Sequence, residues 1–126
     1  PTNLVLHYEL GTRYRRGKKY QEAIAELQKA QADPRRKGLS LLELGKCFQL
    51  IKQNQLAASH YEKAIAEISD REETQKKEAM YLAGKLAYET QKLDLAQDYF
   101  SKLAEIDFSY KDVQAILDRI ARKTEG

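Results

Sequence analysis

Two histidines, one cysteine and nineteen Asp and Glu residues are the main resources this 126-residue chain has for acid–base, nucleophilic or metal chemistry. Catalysis would need them gathered, as a nucleophile beside a base, two carboxylates across a cleft, or ligands at metal spacing. The sequence disperses them. His7 and His60 fall in different segments, and no H-E-x-x-H, phosphate-loop or G-x-G-x-x-G pattern occurs. His7 reads as a packing residue rather than a base. Cys47 lies in the apolar run CFQLI, where a thiol is a small buried hydrophobe, and a single cysteine makes neither an internal disulfide nor a metal-ligand pair. The carboxylates alternate with Lys along runs such as AIAELQKA, the pattern of a solvated helix face. The chain therefore reads as non-enzymatic, with no cofactor and no metal.

A second chemistry is phosphate binding. Arg13, Arg15, Arg16, Lys18 and Lys19 form one basic cluster and Arg35, Arg36 and Lys37 another. Residues 1–40 carry nine Lys and Arg against four Asp and Glu, while the remainder carries thirteen against fifteen. Nucleic acid needs such charge on one continuous face. The asymmetry also suits an acidic partner steered toward one end, or a surface that is merely well solvated.

The elements that would position these residues are helices. An apolar content of 42% with 33% charged residues is a globular balance, outside the disordered range. The only prolines are Pro1 and Pro34, and beyond residue 38 the only helix breakers are Gly45, Gly84 and Gly126. No apolar stretch approaches the roughly 20 residues of a membrane helix, and no secretory signal is visible, so no membrane and a cytoplasmic setting are expected.

Three segments repeat. Residues 10–30 (LGTRYRRGKKYQEAIAELQKA), 44–64 (LGKCFQLIKQNQLAASHYEKA) and 83–103 (AGKLAYETQKLDLAQDYFSKL) align Gly11 with Gly45 and Gly84, and Ala23 with Ala57 and Ala96. Bulky Leu27, Tyr61 and Phe100 follow in register. Such a period marks supersecondary units of an array. Within a unit, Leu10, Gly11 and Tyr14 share one helical face and Ala23, Leu27 and Ala30 another, with the polar RRGKK as the turn. Gly11 gives up about 1 kcal/mol of helix propensity. Opposite Ala23 it lets two backbones approach, with Tyr14 and Leu27 filling the space beside them. The two basic clusters then sit in turns at opposite ends of the helices, about 20 Å apart, which makes nucleic acid the weaker reading.

These residues resemble the tetratricopeptide repeat (TPR) family over approximately residues 4–107. The match is carried by Leu10–Gly11 and Leu44–Gly45, by Tyr14 and Phe48, by Ala23, Leu27 and Ala30, and by Ala57, Tyr61 and Ala64. Asp33–Pro34 resembles the repeat's closing pair, one residue early. His7, Leu41 and Met80 stand where the family often has tryptophan. The resemblance implies an all-α, right-handed superhelical array of antiparallel helix pairs, about seven helices in one domain over 1–126. Repeats are expected at 4–36, 38–69 and 71–107, with a capping helix near 110–124. Ala83 and Ala87 replace the usual leucine and aromatic, so the third pair should be less tightly filled, with Leu86 or Tyr88 placed to compensate. Five extra residues precede that pair, within SDREETQKKEAM. Ser69 with Glu72 suggests a capping box and a fifth helix lengthened by about one and a half turns, a loop being the alternative. Ser109 with Asp112 suggests another helix start, leading to a stripe of Val113, Ile116, Leu117, Ile120 and Ala121. At the other end only Thr2 or Asn3 can cap the first helix, which suggests upstream repeats or self-association.

The resemblance also implies a concave groove lined by the first helix of each pair. It would present Tyr8, Thr12 and Arg15, then Leu42, Lys46 and Gln49, then Tyr81, Lys85 and Tyr88. Lysines beside tyrosines suit a protein or peptide with acidic and apolar residues. Some three-repeat members clamp the C-terminal carboxylate of Hsp70 or Hsp90. The corresponding places hold Tyr8, Thr12, Glu43, Glu78 and Leu82, whose two acids should repel that ligand, so a chaperone carboxylate is excluded on sequence grounds. The functional expectation is a scaffold for protein binding. A structural or oligomerisation segment of a longer array is the alternative.

Overall fold

The computed structural model describes residues 3–125. Among them are seven helices: α1 Leu4–Arg16, α2 Tyr20–Ala30, α3 Lys37–Leu50, α4 Asn54–Glu67, α5 Glu73–Glu89, α6 Leu93–Ile106 and α7 Val113–Glu125. Each packs on the next in order, and α1 also touches α3. Three helix pairs and a final helix therefore stack as a TPR-like superhelical array.

The repeated glycines explain the pairing. A Cβ on Gly45 would lie 2.5 Å from Cε1 of Tyr61, and one on Gly11 would lie 2.5 Å from Cγ of Leu27. Both bulky side chains are essentially inaccessible to solvent. Gly38 was not foreseen as a contact point: it packs against the backbone of Ile68, joining the start of α3 to the end of α4.

The turn inside each pair is the same in all three units, though not where the glycine suggests. Gly17 has φ −81°, whereas Lys18, Lys52 and Gln91 each adopt φ 64°. These residues stand in register, in the left-handed region that a Lys or Gln occupies at some strain. The backbone N–H of the following residue then donates to the carbonyl of Tyr14, Phe48 or Ala87, at 2.8 Å each time.

Of the helix starts expected from the sequence, the first is as expected and the fifth and seventh differ. Asn3 caps α1, its side chain accepting from the N–H of Leu6 at 3.1 Å, while Thr2 lies outside the described residues. Ser69 does not cap α5. Its hydroxyl accepts from the N–H of Arg71 at 3.2 Å, and α5 begins after Glu72. By register with the first two units, α5 starts three residues earlier than α3 and α4 ends three later than α2, so the turn between them is five residues against six and the insertion lies in the helices. Ser109 likewise lies in a turn, its N–H donating to Asp107, and α7 starts only at Val113.

Val113, Ile116 and Ile120 are buried against α6, with Leu117 and Ala121 half-buried. The opposite face of α7 is polar, as a helix closing an array requires. The core runs through the units in two clusters, one centred on Leu27, Leu44 and Tyr61, the other on Phe100, Leu103 and the apolar face of α7.

Candidate peptide groove

Where α1, α3 and α5 come side by side, they bound an open recess of about 600 Å³ edged by Arg15, Lys46, Gln49, Leu50, Glu78 and Leu82. Three of the nine sequence-predicted groove residues are here: Arg15, Lys46 and Gln49. Gln49 is held in place by Tyr61, whose hydroxyl donates to its Oε1 at 2.6 Å. Burial pushes the Tyr61 phenol well above its ordinary value, with the Glu78 carboxylate adding to the effect, so it acts as a fixed donor.

Apart from exposed Lys52, which also lines the recess, its charges are tied to one another or to Glu43. Arg15 Nε donates to Glu43 at 2.6 Å, Lys46 Nζ lies 3.8 Å from the same carboxylate, and Lys46 also reaches Glu78 at 3.1 Å. Glu43 is buried, and its charge is stabilised there by two cations. The line Arg15–Glu43–Lys46–Glu78 thus crosses three helices and links all three units. Lys46 therefore already has carboxylate partners within the chain.

The other six predicted residues lie elsewhere. Thr12 and Leu42 are buried, Leu42 at 2% exposure and part of the core. The Thr12 hydroxyl donates to the carbonyl of Glu9. Tyr8 is half-buried against the core, its phenol raised by burial first and by Glu43 second. Tyr81, Lys85 and Tyr88 are drawn to the C-terminal helix. The Tyr81 hydroxyl donates to Asp112 at 2.6 Å, the ammonium groups of Lys111 and Lys85 lie 4.8 and 5.9 Å from its ring centroid, and Lys123 stands 4.8 Å from the ring of Tyr88. Burial, together with the bond to Asp112, raises Tyr81 to about 12.

Glu78, Leu50 and Leu82 were missed as groove residues. For Glu78 and Leu82 a signal existed, because the resemblance had already placed them at clamp positions. Elsewhere, His7 pairs with Glu26 of α2, a structural contact within the first pair. Cys47 is fully buried, its thiol pushed up to about 11 by burial and by nearby Glu43. Among the described residues no three His, Cys, Asp or Glu side chains are gathered to hold a metal ion. No described helix is long and apolar enough to cross a membrane.

A curved stack of helix pairs with a recess on its first-helix side defines a helical-repeat scaffold. Comparison with solved structures places the fold within that class. The first TPR domain of Spaghetti (RPAP3), bound to the HSP90 peptide SRMEEVD, is 22% identical with a TM-score of 0.79, the match covering 98% of this chain and 94% of that one. MamA is 21% identical with a TM-score of 0.84, over 99% and 70%. The Yersinia enterocolitica type III secretion chaperone SycD, in complex with a peptide of the translocator YopD, is 19% identical with a TM-score of 0.79, over 96% and 94%. No protein-family model and no curated protein matches the chain. The chain is a TPR-like helical repeat protein by fold.

The exclusion of a chaperone C-terminal carboxylate does not stand. A domain of this fold holds an HSP90 peptide, and another, itself a secretion chaperone, holds a translocator peptide. The exclusion rested on the lack of the clamp's Lys, Asn and Arg residues at the five corresponding places, and on repulsion by Glu43 and Glu78. Both are ion-paired with Lys46, and Glu43 with Arg15 as well, so the recess is less negative than the bare sequence suggests.

Proposed function

We propose that this chain is a non-enzymatic interaction module that takes a peptide segment of a partner protein along the face shared by α1, α3 and α5. The observation that carries this reading is the recess itself. It is concave and large enough for several side chains, and it is edged by apolar Leu50 and Leu82 beside the polar Gln49 and paired charges. Leu50 is half exposed with no covering element, which suits an apolar anchor on the ligand. Residues 1–126 act in this proposal as one unit of three repeats with α7 as its cap. A cytoplasmic setting fits the single, buried thiol.

The test is selection of peptides from a random displayed library against the wild-type chain and against a variant with Lys46→Ala and Leu50→Ala, both checked for equal helicity. HSP90 peptide SRMEEVD serves as a defined additional probe. Peptides that bind the wild type, shift the amide resonances of Lys46, Gln49 and Leu82, and bind the variant at least tenfold more weakly support the reading. Peptides that bind both proteins equally, or no enrichment at all, refute it.

A further inference from the structure

On the opposite side of the array from the recess, α4 and α6 flank α5 and enclose a second cavity of about 300 Å³. Its origin can be read by register. At the junction between the first two units, the same space is filled by Ile24, Leu44, Phe48 and Ile51, all packed into the core. At the second junction those four places hold Ala58, Ala83, Ala87 and Thr90. Four large apolar side chains shrink there, while Leu86 takes the place of the smaller Cys47. Burial of Leu86 does not close the gap, since Leu86 itself lines it.

The filled junction shows what fits. There the phenyl ring of Phe48 lies against the imidazole of His60, with centroids 4.9 Å apart. At the second junction Tyr99 stands in the place of His60 and lines the cavity, but Ala87 offers it no ring. Two charges mark the rim, Glu62 on α4 and Lys92 at the head of α6, and neither joins an ion pair among the described residues. Lys92 stands in register with Gln53, nine residues before Glu62, so the charges are separated by about 13 Å along the helices.

We propose that this cavity is a docking site for one aromatic side chain of a partner, a phenylalanine on a peptide segment. A basic residue on one side of it would face Glu62 and an acidic residue on the other would face Lys92. The incoming ring takes the place that Phe48 fills from within at the first junction and stacks on Tyr99. The site is separate from the peptide recess and stands or falls independently of it.

The experiment follows methyl resonances of Ala58, Ala83 and Ala87 during titration with N-acetyl-phenylalanine amide and, as a control, N-acetyl-alanine amide. It is repeated with a short peptide carrying phenylalanine between lysine and aspartate, and with the same peptide after exchange of the two charges. Saturable shifts at these methyls with the phenylalanine probes alone, and tighter binding of one charge order, are expected. Ala87→Phe, which copies the first junction, should keep or raise the thermal midpoint and weaken binding at least tenfold. Ala83→Leu is the second filling variant. Absence of saturable shifts, unchanged binding in a folded filled variant, or failure of both variants to fold overturns the proposal. Resonances of Lys46 and Gln49 report the recess separately.

Discussion

Replacing Gly45 by alanine should destabilise the protein, against the direction that helix propensity dictates. Alanine in the middle of α3 gains about 1 kcal/mol of propensity over glycine. The added Cβ would lie 2.5 Å from Cε1 and 2.6 Å from Cδ1 of Tyr61. That ring cannot swing aside, because it is 1% exposed and its hydroxyl is bonded to Gln49. Overpacking of a core costs about 1–3 kcal/mol, and displacing the ring far enough to break its hydrogen bond adds about 1 kcal/mol. The net effect is a loss of about 1–3 kcal/mol. Gly17→Ala is the control. At φ −81° it needs no special backbone, and its Cβ would meet nothing nearer than the Arg13 carbonyl at 3.4 Å. A gain of about 0.4–1 kcal/mol is expected there through the unfolded chain. Urea unfolding followed by circular dichroism measures both. A Gly45→Ala protein as stable as the wild type would refute the close-approach account of the repeated glycine.

Further outcomes follow from the same geometry. Ser40 is fully buried with no partner for its hydroxyl, and Ala79 occupies the same register, so Ser40→Ala should stabilise by about 1 kcal/mol, read in the same urea experiment. Glu43→Gln would leave Arg15 and Lys46 facing each other with their shared carboxylate gone and should lose about 1–3 kcal/mol. Glu78→Gln, at a more exposed position, should lose about 0.5 kcal/mol or less, and the reverse order would contradict the assignment. The Cys47 thiol ionises near 9 when free and about 11 in the fold. Between those values the folded chain binds more protons than the unfolded one, so this group's contribution to stability falls as pH rises through that window. Alkylation of native Cys47 should remain slow at pH 9 and then accelerate. Asp112 is held below the ordinary carboxylate range chiefly by the Tyr81 hydroxyl, a contribution present above pH 4 and lost as pH falls. Tyr81→Phe should therefore flatten the acid limb of the unfolding profile.

The helix pairs were legible because the repeat is written in residue sizes: small Gly11, Gly45 and Gly84 face bulky Leu27, Tyr61 and Phe100 in a fixed register. The loosened third unit was legible for the same reason, from Ala83 and Ala87. The groove was legible only in part. Arg15, Lys46 and Gln49 reach it, but Leu42 is part of the core, a tertiary placement absent from any local pattern. Tyr81 and Tyr88 pack toward residues 111–123 and do not line this recess, and the position of that segment depends on the turn at residues 107–112. The left-handed residue of each turn was hidden by its type. Glycine advertises such a conformation and lysine does not, yet Lys18 adopts it and Gly17 does not. The charge pairings were also beyond reach, since Arg15 and Glu43 are 28 positions apart and meet only once the helices are stacked.

That line of charges has a mechanical consequence. It laces the inner side of a curved spring, fastening α1 to α3 and α3 to α5. Straightening the coil lengthens the Arg15–Glu43 and Lys46–Glu78 contacts, whereas tightening it does not. The array is therefore stiffer against opening than against closing. Because exposed ionic contacts weaken in salt while buried ones and the apolar pairs hold, salt should loosen the Lys46–Glu78 fastening more than the buried Arg15–Glu43 one, with every helix intact. The hold of the third unit on the second should then ease in concentrated salt, while the first two units stay laced together.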